Sequence, residues 1–175
     1  MNDTGVPTAR EGFVEAPATN VVRRGTQSDA AALAQLRLEF RGPRAPNVES
    51  ETEFLTRCET WMRARLGDDS IWCVWLLEWN RDLIGAVWLQ VVEKLPNPTA
   101  ESELHAYVSN FYVRPDHRNT GGGSLLLRAA LDEAERLGVD SIFLWPSARS
   151  RPLYERHGFA VSENVLVRKS HRPNQ

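Results

Sequence analysis

The sequence has few cysteines, no long apolar run and little net charge. Only Cys58 and Cys73 are present, both in apolar surroundings, which favours buried free thiols over a disulfide or a metal site. No apolar run reaches the roughly 18 residues of a membrane-spanning helix, and residues 1–20 lack the apolar segment of a signal peptide. We therefore expect a cytoplasmic protein without a membrane partner. A net charge of −2 argues against a nucleic-acid partner.

The length of 175 residues predicts a single domain with a substantial core. Residues 1–20, which contain Pro, Gly and small polar side chains, are predicted to form a flexible arm. Residues 21–170 are predicted to form the domain, and residues 171–175 a tail. No internal repeat or low-complexity tract is present.

Hydrophobic periodicity predicts strands and helices in the order β-α-α-β-β-β-α-β-α-β. The strands are expected at residues 21–24, 71–77, 83–92, 104–113, 142–145 and 161–167. The first helix follows Ser28 and stops at Gly42, and the second starts at Ser50 with a capping box. A third helix follows three glycines and ends at Gly138, and a short fourth helix lies around residues 152–157.

The most informative stretch is residues 111–124, where an apolar run passes through Pro115 into three glycines, Gly121–Gly123, that open a helix. Glycines let a ligand approach the backbone closely, and the N–H groups at a helix N-terminus suit a phosphate or pyrophosphate. A Walker loop is excluded because no lysine precedes Ser124. A dinucleotide fingerprint is disfavoured because Leu126 stands where the third glycine belongs.

The remaining pattern is Arg118-x-x-Gly121-x-Gly123, and it resembles the acetyl-CoA loop of the GCN5-related N-acetyltransferase (GNAT) superfamily. A second stretch, residues 151–159 with its Leu-Tyr-Glu and Gly-Phe, is similar to the terminal signature of that superfamily. The resemblance covers residues 20–169. It implies an α/β fold whose central sheet is mixed, mostly antiparallel and flanked by helices. It also implies transfer of an acetyl group from acetyl-CoA to a primary amine by direct attack in a ternary complex.

The backbone N–H groups from Arg118 through Ser124 are candidates to bind the diphosphate of acetyl-CoA, and no metal is expected. The resemblance adds the main chain of the fourth strand, where the pantetheine arm would pair, and Ser147 after the fifth strand. The predicted binding residues are Phe111, Tyr112, Val113, Arg118, Asn119, Thr120, Gly121, Gly122, Gly123, Ser124 and Ser147. For the Arg118 side chain, a surface cation with a structural role is the alternative.

The reaction requires that a proton leave the amine and that the departing thiolate be stabilised. By resemblance, Tyr154 lies beside the thioester sulfur and donates to the thiolate; the alternative is a core aromatic residue. Glu103 and His105 at the start of the fourth strand are the candidates for the general base. A strand-end charge and a surface histidine are the alternatives.

The acceptor is expected to bind near the first two helices and the connection 93–103. Glu49, Glu51 and Glu53 could attract a cationic amine, or they could stabilise the positive end of the second helix. We expect a small-molecule amine. The alternatives are a peptide amine or a non-catalytic module that binds acyl-CoA. Homodimers are common in the superfamily, so a homodimer is expected by analogy only.

Overall fold

The computed structural model of the chain describes residues 19–42, 49–68 and 70–168. Within these residues, five strands form one sheet in sequence order: β1 (Asn20–Arg24), β2 (Trp72–Trp79), β3 (Asp82–Glu93), β4 (Leu104–Val113) and β5 (Ser141–Phe143). The helices are α1 (Ala30–Arg41), α2 (Glu51–Arg65), α3 (Gly122–Arg136) and α4 (Arg151–Glu155). Neighbouring strands are antiparallel except β4 and β5, which are parallel. The predicted α/β class and the mixed, mostly antiparallel sheet are confirmed.

Local signals in the sequence set the helix ends and the first hairpin. The Ser50 hydroxyl accepts the Glu53 N–H at 3.3 Å, and the Glu53 carboxylate accepts the Ser50 N–H at 2.8 Å, which completes the predicted capping box. Helix α1 ends at Gly42, where φ is +51°. The backbone also turns left-handed at Asn80 (φ +51°) and Arg81 (φ +71°), so two residues suffice to join β2 to β3.

The sheet has a hydrophobic core on each face, as the continuous apolar run in β2 predicts. Cys73, Trp75 and Leu77 pack in the cluster that contains the buried side chains of α3. The intervening residues Val74 and Leu76 pack in the cluster with α1 and α2. Both cysteines of the chain are free thiols. No helix of the described segments combines the length and the apolar character needed to cross a membrane.

The strand predicted at residues 161–167 is wrong, because the chain from Ala160 to Arg168 contains no strand. The Asn164 N–H donates to the Ser162 hydroxyl at 3.2 Å, which forms a local turn in the middle of the segment. The side chains of Val161 and Leu166 are 79% and 97% exposed. As far as Arg168, the last described residue, no strand is added beyond β5. Most of the predicted arm, residues 1–18, and the predicted tail lie outside the described residues.

Candidate active site

A cleft of about 820 Å³ opens where β4 and β5 separate. The two strands pair only from His105 with Ser141 to Tyr107 with Phe143. Beyond that point the residues of β4 line one wall of the cleft, and Leu144, Trp145 and Ser147 line the other. The edge of β4 that faces β5 is therefore unpaired from residue 108 onward, and it can accept an extended ligand as an added strand.

A β-bulge lies in β4 at the wall of this cleft. Asn110 has a φ of +49°, and the pairing with β3 shifts register between Ala86 and Trp88. Gly85 of β3 lies opposite the end of β4. A larger residue would not fit there, because a Cβ would lie 2.8 Å from the Tyr112 carbonyl oxygen. The bulge bends β4 away from the regular ladder just where the cleft begins.

The glycine loop closes one end of the cleft. Gly121 caps α3 with a φ of +87°, a conformation that other residues rarely adopt. Within the described residues, no backbone N–H from Asn119 to Ser124 has a hydrogen-bond acceptor. Six consecutive donors at the N-terminus of a fifteen-residue helix form a site suited to an anion.

The three glycines differ in their surroundings. A Cβ on Gly122 would lie 2.6 Å from the Leu77 side chain, so this glycine lets α3 pack on β2. A Cβ on Gly123 would make an ordinary contact with Phe111 at 3.5 Å, and one on Gly121 would meet no atom within 4 Å. Gly121 and Gly123 line the cleft, whereas Gly122 does not.

Among the described residues that line the cleft, three are arginines, namely Arg118, Arg149 and Arg156, and none is Asp, Glu or His. The Arg118 Nε donates to the Val113 carbonyl at 2.8 Å, which fixes the loop to the end of β4. Burial, with the nearby charge of Arg149 as a second cause, lowers the pKa of Arg118. The cleft is electropositive although the whole chain carries a net charge of −2.

Tyr154 projects from α4 into the same cleft. Its side chain is buried, with Phe111 at 5.9 Å and Phe159 at 5.7 Å between ring centroids. Burial raises the pKa of Tyr154 to about 12, and the nearby Ser150 hydroxyl opposes this shift only in part. The phenol therefore remains a hydrogen-bond donor at any physiological pH.

Most of the sequence-predicted binding residues lie together in the cleft: Phe111, Tyr112, Val113, Arg118, Asn119, Gly121, Gly123, Ser124 and Ser147. Thr120 lies outside it, and its hydroxyl donates to the His117 carbonyl at 2.9 Å. The roles of all these residues remain predictions. Arg149 and Arg156 were missed by sequence reasoning. The signals available were that Arg149 lies just before the terminal signature, in a segment with no acidic residue between 141 and 154, and that Arg156 lies within the signature itself.

The two candidates for the general base do not line the cleft. Glu103 is exposed at the opposite end of β4, and its carbonyl accepts the Lys94 N–H at 2.7 Å. The His105 Nδ1 lies 2.8 Å from the Ser141 hydroxyl and 3.8 Å from the Asp140 carboxylate. In the described part of the chain, no group of three His, Cys, Asp or Glu side chains could hold a metal ion.

The acidic residues at the start of α2 also lie outside the cleft. Glu49 forms an ion pair with Arg57, and Glu53 completes the capping box of α2. Glu51 is an exposed residue of the first turn. These contacts agree with the helix-stabilising interpretation of the three carboxylates.

Several solved structures are similar to the fold of this chain. A predicted acetyltransferase from Clostridium acetobutylicum, solved with acetyl-CoA, has a TM-score of 0.70 and 21% identity over 86% of this chain and 96% of its own. An aminoglycoside N-acetyltransferase in complex with CoA has a TM-score of 0.65 and 16% identity over 91% and 100% of the two chains. The ribosomal-protein-alanine N-acetyltransferase of Brucella melitensis has a TM-score of 0.62 and 20% identity over 87% and 100%.

These likenesses show the fold, and the two relatives named for an acceptor, an aminoglycoside and a ribosomal-protein alanine, act on different ones. The family is shown by a sequence model, that of the acetyltransferase (GNAT) family, which matches residues 33–159. That match includes most of α1, the bulged strand β4, the glycine loop and the terminal signature. The chain therefore belongs to the acetyltransferase (GNAT) family.

Proposed function

We propose that this protein transfers the acetyl group of acetyl-CoA to the primary amine of a small molecule, by direct attack in a ternary complex. The observation that carries the proposal is the cleft itself, in which an unpaired strand edge runs between an anion-binding helix N-terminus and the Tyr154 hydroxyl. Solved relatives with acetyl-CoA or CoA support the choice of co-substrate.

The phosphate end of the cleft suits the diphosphate of acetyl-CoA. The N–H groups from Asn119 to Ser124 have no acceptor within the described residues, and anions are favoured at the positive end of α3. Arg149 and Arg156 add exposed guanidinium groups that can pair with phosphate oxygens. No carboxylate among the described lining residues opposes this binding.

The other end of the cleft suits the acyl group and its leaving thiolate. The β4 main chain beyond Tyr107 is unpaired on the side of β5 and can hold the pantetheine arm as an added strand. The pKa of Tyr154 is about 12, so complete transfer of its proton to an ordinary thiolate would be unfavourable by roughly 5 kcal/mol. Tyr154 therefore stabilises the thiolate by donating a hydrogen bond.

Proton removal from the amine is not assigned to a side chain of the cleft. The titratable residues among those that line it are tyrosines and arginines, and burial raises the pKa of Tyr107 as it does that of Tyr154. None of them can act as a base near neutral pH. The amine therefore reacts as the free base or loses its proton to water.

The proposal is tested by incubating the protein with acetyl-CoA and a panel of small amines and short peptides, with thiol release as the readout. We expect at least one small amine to accelerate thiol release over acetyl-CoA hydrolysis. Acetyl-CoA that binds in calorimetry without acceleration by any acceptor would indicate a non-catalytic acyl-CoA-binding module instead. Acceleration by the peptides alone would indicate a peptide acceptor.

A further inference from the structure

Arg37 of α1 is a half-buried guanidinium beside the bulge of β4. One of its amino groups donates to the side-chain oxygen of Asn110, and its guanidinium carbon lies 5.6 Å from the centre of the Phe40 ring. Across residues 19–42, 49–68 and 70–168, no carboxylate forms an ion pair with Arg37. This is unusual for a charge withdrawn from water.

The surroundings of Arg37 do not neutralise its charge. Burial is the main cause that lowers the pKa of Arg37, and the neighbouring charge of Arg41 acts in the same direction. The other titratable groups near it are Cys58 and Tyr107, and burial raises the pKa of both. Both are neutral at physiological pH, whereas a guanidinium is always charged. No described residue thus supplies a partner anion in the immediate surroundings of Arg37.

The position of Arg37 places it next to the reacting end of the cleft. Arg37 lies in a shallow crevice between α1, α2 and the bulge of β4, whose other side chains are mostly apolar. Phe40, Asn110 and Tyr112 line both this crevice and the cleft, so the two spaces meet at the bulge. The anion-binding helix N-terminus has its own arginines, which leaves Arg37 free for a different anion.

We infer that Arg37 binds a carboxylate of the acceptor, so the acceptor is an amine that also carries a carboxylate, such as an amino acid. This inference rests on the proposed acetyltransferase function. Four of the five N–H donors of Arg37 have no protein acceptor in the described segments, and a planar guanidinium matches a carboxylate with two parallel hydrogen bonds. The body of such a molecule lies in the larger cleft, where Phe40 and Tyr112, which line both spaces, provide apolar contacts.

The test compares matched acceptors that differ only in the carboxylate: L-leucine with L-leucinamide, and L-phenylalanine with L-phenylalaninamide. Rates are expressed per free-base amine, because the amide lowers the pKa of the amino group. We expect kcat/KM to be at least tenfold higher for the carboxylates in the natural protein. Arg37→Gln should lower that preference at least tenfold, and Arg37→Lys should retain part of it.

Arg41→Gln is the matched control, since it removes an exposed charge of the same helix and should keep the preference. Calorimetry in the presence of CoA gives a readout without turnover: the natural protein should bind N-acetylleucine more tightly than N-acetylleucinamide. Arg37→Gln should melt no lower than the natural protein, because it removes an unpaired buried charge.

The outcomes separate the inference from the function. If amides and carboxylates are acetylated equally, or if Arg37→Gln keeps the preference, the acetyltransferase stands and the role of Arg37 is wrong. The role of Arg37 would also be wrong if an amine that carries a phosphate were preferred over both the carboxylate and the amide acceptors. If no amine accelerates thiol release while acetyl-CoA binds, the proposed function fails and the inference fails with it. Should Arg37→Gln not fold, Arg37→Lys and the calorimetric comparison on the natural protein decide the question.

Discussion

In Tyr154, the ring and the hydroxyl have different expected roles: the ring packs in the core, and the hydroxyl takes part in the proposed reaction. Its ring packs edge-on against Phe111 and Phe159, so the position of the side chain depends on the core below α4. Tyr154 also lines the cleft, and burial raises its pKa to about 12. Removing the hydroxyl alone therefore tests its chemical role without disturbing the ring.

We predict that Tyr154→Phe lowers kcat by about tenfold or more, because the departing thiolate loses a hydrogen-bond donor. The affinity for acetyl-CoA and the melting temperature should be unchanged, since the packing of the ring is retained. Steady-state kinetics, calorimetry and thermal unfolding measure the three quantities. Tyr107→Phe, which removes another phenol of the cleft, shows the effect of losing a hydroxyl as such. Full activity in Tyr154→Phe would assign Tyr154 to packing.

Some residues of the site could be predicted from the sequence and others could not. The glycine loop and Tyr154 lie in continuous motifs whose residues are neighbours along the chain, and the structure places them in one cleft. Arg37 is one of several polar residues on an amphipathic helix, and periodicity does not show which polar side chain is buried. Its proximity to Asn110, 73 residues away, depends on the bulge, which single-sequence patterns do not reveal.

Each element that forms the cleft contributes a different part of it. Strand β4 provides the wall, the short β5 ends early enough for the wall to be exposed, and α3 provides its N-terminal donors. The strand β4 was predicted with the observed ends, because its apolar run stops at Arg114-Pro115. The strand expected at residues 161–167 failed because Ser162 and Asn164 form a local turn within it. The hydrophobic pattern alone did not reveal that this side-chain hydrogen bond competes with strand pairing.

The N-terminus of α3 leads to a prediction about the three glycines. Gly123→Val places a branched side chain at the mouth of the anion site, and Gly121→Val also strains a backbone with φ at +87°. We expect each change to raise the Kd for acetyl-CoA at least about tenfold, which corresponds to roughly 1.4 kcal/mol. Calorimetry on the two purified variants measures this.

Gly122→Ala is the control for packing. Its Cβ would lie 2.6 Å from the Leu77 side chain and away from the cleft, so we expect a lower melting temperature with little change in the Kd of the folded protein. Unchanged affinity in both Gly121→Val and Gly123→Val would remove the loop from acetyl-CoA binding.

Charge is distributed unevenly over the whole molecule. The cleft is lined by arginines, whereas several carboxylates elsewhere form ion pairs between different elements of the fold. Glu133 of α3 accepts from Arg136 and from Arg24 of β1, each at 2.8 Å. Asp29, before α1, accepts from Arg23 of β1 at 2.7 Å. These pairs fasten β1 to the helices on both faces of the sheet.

These two carboxylates make the stability of the fold sensitive to acid. The Arg136 hydrogen bond, aided by Arg24, lowers the pKa of Glu133 to about 2, and the Arg23 hydrogen bond lowers that of Asp29 to about 2. In the unfolded chain the corresponding values are about 4.3 and 3.9. The native state therefore binds fewer protons than the unfolded state between these limits. The stabilisation is fully present above about pH 5 and is lost as the pH falls toward 2.

We predict that Glu133→Gln and Asp29→Asn each lower the free energy of unfolding at pH 7 by about 1 kcal/mol or less, because the arginine partners are largely exposed and water screens the pairs. The difference from the natural protein should shrink steadily as the pH falls from about 5 to 2. Urea unfolding at a series of pH values measures it. Glu135→Gln removes an exposed carboxylate of the same helix and should have little effect at any pH. If Glu133→Gln lowers the free energy of unfolding as much at pH 2 as at pH 7, Glu133 contributes through packing, not through its charge.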